Sequence, residues 1–329
     1  MITARLYVRR VPARRAAYAA RTVAWTAAAL LALVAVYWWR PLALLDAYAA
    51  WSRWRAGLET RAITLGHDRW VYDEREAARG DATDTLVLVH GFAGSRADWY
   101  PLLPYLPRSG RLVVVDLPGW GASRRDPHAD YRARAQARRL AHFLDAIEAT
   151  RVHLVGHSMG GKISGIAAAW HPARITALTL VAPSGLHYTE NEFMRRVLAG
   201  EDPFKLRDHA DYARLLHDGF ERPPPLPRHL EDALVQANQQ DHAFYDHMLD
   251  VLRRGEHRYA LEPALGRLRM PVQIVWCRHD RILDASSTAT VQRLLPQARI
   301  DIIDEGCGHM PMMEVPEILA RLLHAVPAP

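Results

Sequence analysis

Short apolar runs, separated by turns and by longer amphipathic stretches, recur along the chain from about residue 63 onward. The runs ITLG and RWVYDE predict a β-hairpin. Buried strands are predicted for TLVLVH (85–90), RLVVVD (111–116), ITALTLVAPSG (175–185) and PVQIVWCRHDRIL (271–283). A helix is predicted for YRARAQARRLAHFLDAIEA (131–149). Strands that alternate with helices indicate an α/β fold with a mostly parallel, doubly wound sheet and right-handed crossovers.

Residues 186–258 break this alternation. They read as several helices, interrupted by PPPLP at 223–227, and predict a helical lid inserted between two parts of the core, 62–185 and 259–329. Among its large apolar residues, we predict that Phe193, Phe244 and Met248 contact a substrate, although simple packing of the lid is the alternative. The full set of such residues is Phe193, Met194, Phe204, Leu206, Phe220, Phe244, Tyr245, Met248 and Leu252.

A continuous uncharged stretch lies near the N-terminus. Eighteen residues, Thr22 to Trp39, carry no charge and would form about 27 Å of helix, which suits a hydrocarbon core of about 30 Å. We predict a basic tail at 1–21 and a transmembrane helix at 22–39. A cleaved signal peptide is the competing interpretation, because Ala47-Tyr48-Ala49 resembles a cleavage site, but the apolar stretch exceeds the usual length. A buried helix of a soluble fold is a third.

The next segment, 40–61, predicts an amphipathic juxtamembrane helix. Its apolar face would carry Leu45, Tyr48, Trp51, Trp54 and Leu58. Such a helix can lie on the membrane, cap the domain or pair with a second copy, and packing on the body is an equal alternative. A homodimer through the transmembrane and juxtamembrane helices is one prediction.

The charge of the chain is concentrated in the tail. The net charge is +6, and residues 1–21 contain six arginines and no acid, so that 42 − 6 leaves 36 basic against 36 acidic residues elsewhere. The tail therefore accounts for the basic balance, and no nucleic-acid partner is predicted. By the positive-inside rule the N-terminus would be cytoplasmic. Only Lys162 and Lys205 are lysine, which is typical of a GC-rich, bacterial genome.

One stretch carries a specific chemical pattern. VHLV (152–155) predicts a strand, GHSMGG (156–161) a sharp turn and KISGIAAAW (162–170) a helix, so Ser158 lies on the turn. At so tight a turn flanking side chains would clash, and Gly156, Gly160 and Gly161 remove them. The pattern GxSxG is that of a nucleophile elbow, with a chance glycine-serine turn as the alternative.

An acid and a histidine follow in the order that serine hydrolases use. Asp280 comes a few residues after a buried strand, and His309 lies in a glycine-bounded turn after the last strand. The order Ser158, Asp280, His309 predicts a catalytic triad. Asp284 and Asp304 are the rival acids.

Two other histidines are interpreted as structural. His157 is next to Ser158 in sequence but should point away from it at an elbow. His90 begins a His90-Gly91-Phe92 turn after a strand, where backbone N–H groups are free to face a developing oxyanion.

The two cysteines lie beside the predicted triad. Cys277 precedes Asp280 by three residues and Cys307 precedes His309 by two, on loops that must approach each other. A disulfide in an oxidising compartment and two buried thiols are both open. No Cys/His cluster has metal-ligand spacing, and we predict neither a metal nor a cofactor.

From about residue 61 the chain resembles the α/β-hydrolase superfamily, and within it membrane-anchored monoacylglycerol lipases and bacterial membrane-bound phospholipases A. The resemblance rests on HGFAGSRADW, DLPGWGAS, GHSMGG, LVAPSGLHY, WCRHDRILD and EGCGHMPMMEVP. It implies hydrolysis of lipid esters, with Ser158 as nucleophile, His309 as base and Asp280 as orienting acid. It also implies oxyanion donors at the N–H groups of Phe92 and Met159. Cys277 is a departure, since glycine is common there.

Other functions are compatible with parts of the pattern. A general carboxylesterase, a carbon–carbon bond hydrolase or a peptidase would keep the same triad, and a membrane-tethered binding module would not need one. Haloalkane dehalogenases and epoxide hydrolases use Asp as nucleophile, so Ser158 disfavours both. Our prediction is a single-pass protein of a bacterial inner membrane, with a cytoplasmic N-terminus, a periplasmic catalytic domain and a membrane lipid as substrate.

Overall fold

The structure is a computed structural model that describes residues 13–77, 84–253 and 258–325. The chain divides into two compact units, Met1–Ala47 and Tyr48–Pro329. Each unit is described by itself below. Residues 1–12 of the predicted basic tail lie outside the described residues.

The first unit contains helix α1 (Ala13–Trp39) and the beginning of helix α2 (Leu42–Ala56). Within α1, Arg21–Trp39 is 19 residues long, has a mean hydropathy of 1.6 and has none of its apolar window buried. By length and composition this helix can cross a membrane. The predicted tail boundary at residue 21 is not a helix boundary, because α1 already begins at Ala13.

Helix α2 is shorter than predicted. We expected a helix to residue 61, but it ends at Ala56, where Gly57 takes a left-handed φ of +69°. The Leu58 N–H then donates to the Arg53 carbonyl at 2.9 Å, a Schellman-type ending that a glycine favours. Glu59–Leu65 forms the first strand instead.

The face of α2 that packs on the body is not the aromatic one. Ser52 and Ala56 are buried, whereas Trp51 and Trp54 are 49% and 77% exposed. The small residues fit closely against the body, and the large aromatic side chains are left on the outer surface.

In the described residues the second unit contains an eight-stranded sheet in the order β1-β2-β4-β3-β5-β6-β7-β8. β1 pairs with β2 and β2 with β4 in antiparallel fashion, and the other pairs are parallel. The predicted hairpin and the mostly parallel sheet are confirmed. The strands are β1 (Glu59–Leu65), β2 (Asp68–Arg75), β3 (Thr85–Val89), β4 (Leu112–Asp116), β5 (Val152–His157), β6 (Ile175–Val181), β7 (Val272–Cys277) and β8 (Arg299–Ile303).

Helices cover both faces of this sheet. One apolar cluster includes Trp70 stacked on Phe143, and the other includes Trp99 and Met312. Besides a 3₁₀ helix at Arg96–Tyr105, the helices are α3 (Ala133–Ala146), α4 (Met159–Trp170), α5 (Glu192–Leu198), α6 (His209–Gly219), α7 (Arg228–Gln239), α8 (His242–Arg253), α9 (Glu262–Leu265), α10 (Ser287–Leu294), α11 (Pro311–Glu314) and α12 (Pro316–His324).

The position of the site follows from the sheet. Parallel strands end at one edge, so the loops after β3, β5, β7 and β8 meet there. Between β6 and β7 the chain forms α5 to α8, the segment for which we predicted a lid. Helices α6 and α7 contribute a small apolar cluster of their own around Leu206, Tyr212 and Val235.

Candidate active site

Ser158 occupies the turn between β5 and α4, in a backbone conformation that residues other than glycine rarely adopt. Its φ is 52° and its ψ is −116°. A Cβ at Gly156 would lie 2.5 Å from the Gly160 carbonyl oxygen, and one at Gly160 would lie 2.2 Å from the His90 carbonyl oxygen. Only glycine fits at these two positions, so the local sequence permits the strained turn that presents Ser158.

Asp280 and His309 are joined by a buried hydrogen bond. His309 Nδ1 donates to Asp280 Oδ2 at 2.7 Å, and Asp280 Oδ1 accepts from the backbone N–H groups of Ile282 and Leu283, both at 2.9 Å. Since Nδ1 carries the donated proton, Nε2 of a neutral His309 is free to accept one.

Ser158 and His309 line the same cavity. Their side chains make no hydrogen bond to each other within the residues that the structure describes. Hydrogen bonds between catalytic groups are often long or poorly aligned until a substrate binds, so this arrangement is compatible with proton transfer from Ser158.

The two rival acids have other partners. Asp304 pairs with the Arg278 guanidinium at 2.5 Å on the surface, and Asp284 accepts from the Ser286 N–H at 2.9 Å. Of the three candidate acids, the structure brings Asp280 to His309.

A disulfide ties the loops that carry these two residues. Cys277 and Cys307 are bonded, with their Cα atoms 5.7 Å apart and a sequence separation of 30. The alternative of two buried thiols is thereby removed. The bridge joins the end of β7, just before Asp280, to the loop just before His309.

His157 and His90 both hydrogen-bond to the backbone, and His157 also lines the cavity that contains His309. His157 Nε2 donates to the His309 carbonyl at 2.8 Å, and His90 lies between the Gly91 carbonyl (2.7 Å) and the Leu117 N–H (3.0 Å). Burial lowers the pKa of both imidazoles, and the nearby His309 lowers that of His157 further. Neutral histidines in these positions fix the loop of His309 and the turn before Phe92.

The predicted oxyanion donors border the same space. Phe92 and Met159 both line a cavity with Ser158, and Met159 is the first residue of α4. The first N–H groups of a helix have no partner within it, and they lie at the positive end of its dipole. An anion beside Ser158 would meet such a group, which keeps Phe92 and Met159 as our predicted donors.

Two cavities meet at Ser158. The first is lined mainly by apolar side chains of α5 and its surroundings, and the second contains Asp98 and His309; both also include Phe92, Phe204 and Ile282. Burial raises the pKa of the Asp98 carboxyl to about 7, and its Oδ2 accepts from the Ser95 N–H at the start of the 3₁₀ helix. The site thus offers room on both sides of the serine.

Within the described residues, the walls of the two cavities at Ser158 include one of the three predicted substrate contacts. Phe193 lines the first cavity, but Phe244 packs edge-on against Trp120 with ring centroids 5.0 Å apart, and Met248 is buried in the core. Leu249, one residue further along α8, lines the cavity instead. Successive helical residues point about 100° apart, so the cavity-facing side of a lid helix cannot be read from its apolar residues alone.

Lys162 lines the first cavity and was not among the predicted site residues. Its side chain is buried with 2% exposure, and burial lowers its pKa to about 8. The signal was available in KISGIAAAW, where one charged residue stands one helical turn after Ser158 in an otherwise apolar helix. Tyr188 and Arg258, in the same cavity wall, were also missed. Among the described residues, no three or more His, Cys, Asp or Glu side chains are grouped so that they could hold a metal ion.

Comparisons with known proteins agree with this fold. A family model of the alpha/beta hydrolase fold matches residues 84–316. Monoacylglycerol lipase abhd6-A of Xenopus laevis is 29% identical over 307 residues, which cover 89% of each chain. A crystal structure of a membrane phospholipase A, named as a bacterial virulence factor, has a TM-score of 0.81 and 32% identity over 93% of this chain and 97% of its own. A putative lipase from Acinetobacter baumannii AYE has a TM-score of 0.76 and 25% identity over 84% and 93%.

Proposed function

Because the chain belongs to the α/β-hydrolase family, we propose that it is a membrane-anchored serine hydrolase that cleaves carboxylic esters of lipids. The relatives named as a monoacylglycerol lipase and as a membrane phospholipase A support hydrolysis of lipid esters. The observation that carries the serine mechanism is the Asp280–His309 hydrogen bond beside the cavity that Ser158 borders.

In this mechanism Ser158 Oγ attacks the ester carbonyl while His309 Nε2 takes its proton. Asp280 stabilises the imidazolium that results, because its carboxylate already accepts from Nδ1. The N–H groups of Phe92 and Met159 would hold the tetrahedral oxyanion, each contributing about 2.7–4 kcal/mol if side-chain donors elsewhere are a guide. His309 then protonates the leaving alcohol, and a water molecule releases the acid from the acyl-enzyme.

The apolar lining of the first cavity supports an acyl chain as the bound group. Phe193, Met194 and Val197 of α5 line it next to Ser158. A chain of about ten carbons gains about 0.8 kcal/mol per buried CH₂, but leaving a bilayer costs nearly as much. We therefore expect cavity shape to set chain length, with medium chains preferred over acetyl and very long chains.

Membrane attachment is supported by the length and apolar composition of α1 and by two exposed tryptophans of α2. α1 is long and apolar enough to span a bilayer, and Trp51 and Trp54 are exposed. Tryptophan is favoured at membrane interfaces. The arginines before the uncharged stretch 22–39 favour a cytoplasmic N-terminus, and the Cys277–Cys307 bridge suits an oxidising compartment such as the periplasm. Pairing of two copies through α1 and α2 stays a prediction.

Orientation is tested by protease accessibility in spheroplasts of a bacterial host. Added protease should digest the body while a cytoplasmic control protein stays intact. A protected body beside an intact control would contradict the periplasmic location.

Activity is tested with a fluorophosphonate probe and with lipids. The full chain should be labelled, and Ser158→Ala should lose the label, whereas Ser286→Ala, outside both cavities, should keep it. The same proteins are then given monoacylglycerol, lysophospholipid, phospholipid and acetyl esters, and released acids are measured. Equal or better kcat/KM on acetyl esters, without fatty acid release from any lipid, would leave a general carboxylesterase.

A further inference from the structure

Lys162 is an unusual residue for an apolar cavity beside a reactive serine. It projects from α4 one turn after Ser158, and its alkyl stem passes so close to Gly185 that a Cβ there would lie 2.7 Å from the Lys162 Cδ atom. Gly185 has a φ of +95°, so the chain both bends and leaves room at this point. Among the described residues, no hydrogen bond or ion pair reaches the Lys162 ammonium group.

Two more donors without acceptors line the same cavity. The Tyr188 hydroxyl and the Arg258 Nε are both buried, and by hydrogen-bond geometry neither has an acceptor within the described residues, although the Arg258 guanidinium lies close enough to the phenol to affect its pKa. Burial raises the pKa of the Tyr188 phenol, and the positive charge of the nearby Arg258 opposes that rise. The phenol therefore remains a neutral donor at physiological pH.

The segments that carry these groups are fixed to one another. Arg258 pairs with Glu190 at 2.7 Å, and the Tyr259 ring stacks on His187 with centroids 3.4 Å apart. The Leu261 N–H donates to the Gly185 carbonyl at 3.1 Å, at the same glycine that contacts Lys162. Lys162, Tyr188 and Arg258 are thus gathered around one backbone contact by partners that lie outside the cavity.

Burying these three donors without acceptors costs free energy unless a ligand in the cavity accepts their hydrogen bonds. A buried ammonium without a counterion is disfavoured, as the lowered pKa of Lys162 shows. Glu190 neutralises part of the Arg258 charge, but among the described residues neither Glu190 nor any other carboxylate lines the cavity. An anion inside the cavity would satisfy several unmet donors at once.

We propose that Lys162, Tyr188 and Arg258 form an anion subsite that binds the phosphodiester of a lipid while the ester carbonyl of that lipid lies at Ser158. The inference rests on the proposed function only in treating the bound lipid as a substrate. The subsite would therefore favour phospholipids and lysophospholipids over uncharged glycerides.

Two features favour a phosphodiester over the carboxylate of the released acid. That carboxylate forms at the carbonyl carbon that Ser158 attacks, whereas Lys162 is one helical turn away, about 5.4 Å along the helix axis. In a glycerophospholipid several bonds separate the ester carbonyl from the phosphorus. The apolar wall from α5 fits the hydrocarbon chain of either ligand, so the distance from Ser158 distinguishes them.

Binding is measured on the full chain carrying Ser158→Ala, which separates recognition from turnover. The ligands are hexyl phosphate, hexanol, hexanoate and inorganic phosphate, each titrated calorimetrically in a nonionic detergent. Hexyl phosphate should bind on the order of tenfold more tightly than hexanol, since hydrogen bonds to charged groups are worth this much or more. Lys162→Met should abolish that advantage and Tyr188→Phe should reduce it.

The control variant is Lys205→Met, the other lysine of the chain, whose ammonium pairs with Asp246 at 2.7 Å outside both cavities. It should keep the full advantage of hexyl phosphate. The proposal is overturned if the Ser158→Ala chain binds hexyl phosphate no more tightly than hexanol. It is also overturned if adding Lys162→Met leaves the preference for hexyl phosphate unchanged. It is also overturned if hexanoate gains as much as hexyl phosphate, or if inorganic phosphate alone binds as tightly.

Turnover gives an independent readout with the serine in place. On a lysophospholipid, Lys162→Met should raise KM about tenfold, with kcat within about twofold. On a monoacylglycerol of the same chain, which carries no phosphodiester, the rise in KM should be clearly smaller than on the lysophospholipid. Parallel losses on both substrates would assign Lys162 a structural role. If the wild-type protein hydrolyses neither lipid, the proposed function is wrong. The binding titration would still show whether the anion subsite exists.

Discussion

The strand-end loops and the helices α5 to α8 both border Ser158, but they are held in different ways. In the loops, Asp280 accepts three hydrogen bonds, His309 is fixed through its ring and its carbonyl, and a disulfide joins the two segments. In the helices, many polar contacts are ion pairs at least partly open to solvent, such as Lys205–Asp246. Many other contacts of these helices are apolar and aromatic. For example, the ring centroids of Phe204 and Phe92 lie 4.6 Å apart.

The difference separates two tasks. Proton transfer tolerates little displacement, so the groups assigned to it are over-determined by short backbone and side-chain contacts. A wall for a flexible acyl chain needs area more than fixed distances, and partly exposed ion pairs allow it to move. Substitutions should therefore cost most in the loops and least in the helices.

The largest effect is expected from Asp280→Asn. An amide in place of the carboxylate would favour the wrong tautomer of His309, and in an equivalent triad this substitution lowers kcat about 10⁴-fold. Steady-state hydrolysis of a monoacylglycerol measures the loss, and circular dichroism checks the fold. Asp284→Asn, in the same loop, serves as the matched control and should stay within a few-fold of wild type. A kcat for Asp280→Asn within tenfold of wild type would remove Asp280 from the mechanism.

The second effect concerns the bridge between the loops. Replacing Cys277 and Cys307 with alanine opens a 30-residue loop in the unfolded chain, and the loop-entropy relation gives about 3–4 kcal/mol of lost stability. Urea unfolding of the two proteins measures this difference. A reductant should destabilise wild type by a similar amount and leave the double variant unchanged. If the double variant is as stable as wild type, the loops are held by their hydrogen bonds alone.

How far the sequence predicted this site depends on whether the pattern was local. The elbow around Ser158 is encoded within ten residues, so its strand, turn and helix followed from glycine spacing and apolar runs. The order of Asp280 and His309 gave their pairing, because parallel strands end at one edge. The end of α2 was missed because Gly57 was not taken as a helix terminator.

The cavity wall was predicted less well, for a physical reason. Phe244, Met248 and Leu249 all lie on α8, and which of them faces the cavity depends on how that helix rotates against Trp120 and Tyr131. No local pattern specifies that rotation. The cluster of Lys162, Tyr188 and Arg258 is assembled from three distant segments, so only the fold shows it.

The third effect is the pH dependence of the free energy of unfolding that the buried Lys162 causes. Burial lowers the pKa of Lys162 from 10.5 to about 8 in the folded chain, so at about 1.36 kcal/mol per pKa unit the cost of keeping it charged is on the order of 3 kcal/mol. Below pH 8 both states are protonated and the cost is fully present. Between pH 8 and 10.5 the unfolded chain binds more protons than the folded one, so stability rises with pH. Lys162→Met should be more stable than wild type at pH 7, and the gap should narrow as pH rises to 10.

Urea unfolding of both proteins at pH 7, 8, 9 and 10 measures that gap. Taking the difference between the two proteins cancels the groups that they share. A gap that does not change with pH would mean that the folded chain holds the Lys162 proton as tightly as the unfolded chain does, either because water reaches the ammonium group or because an anion lies beside it. Adding hexyl phosphate at pH 7 separates these cases, because the proposed subsite predicts that it stabilises wild type more than Lys162→Met.

The smallest effect is expected at the other lysine. Lys205 and Asp246 form an ion pair between the segment before α6 and helix α8, with side chains 31% and 51% exposed. Solvent screens such a pair, and exposed pairs contribute about 0.2–1 kcal/mol. A double-mutant cycle of Lys205→Met and Asp246→Asn should give a coupling energy in that range, and 0.5 M salt should reduce it. A coupling above about 2 kcal/mol would show that polar contacts hold the helices as firmly as they hold the loops, and the comparison drawn above would fail.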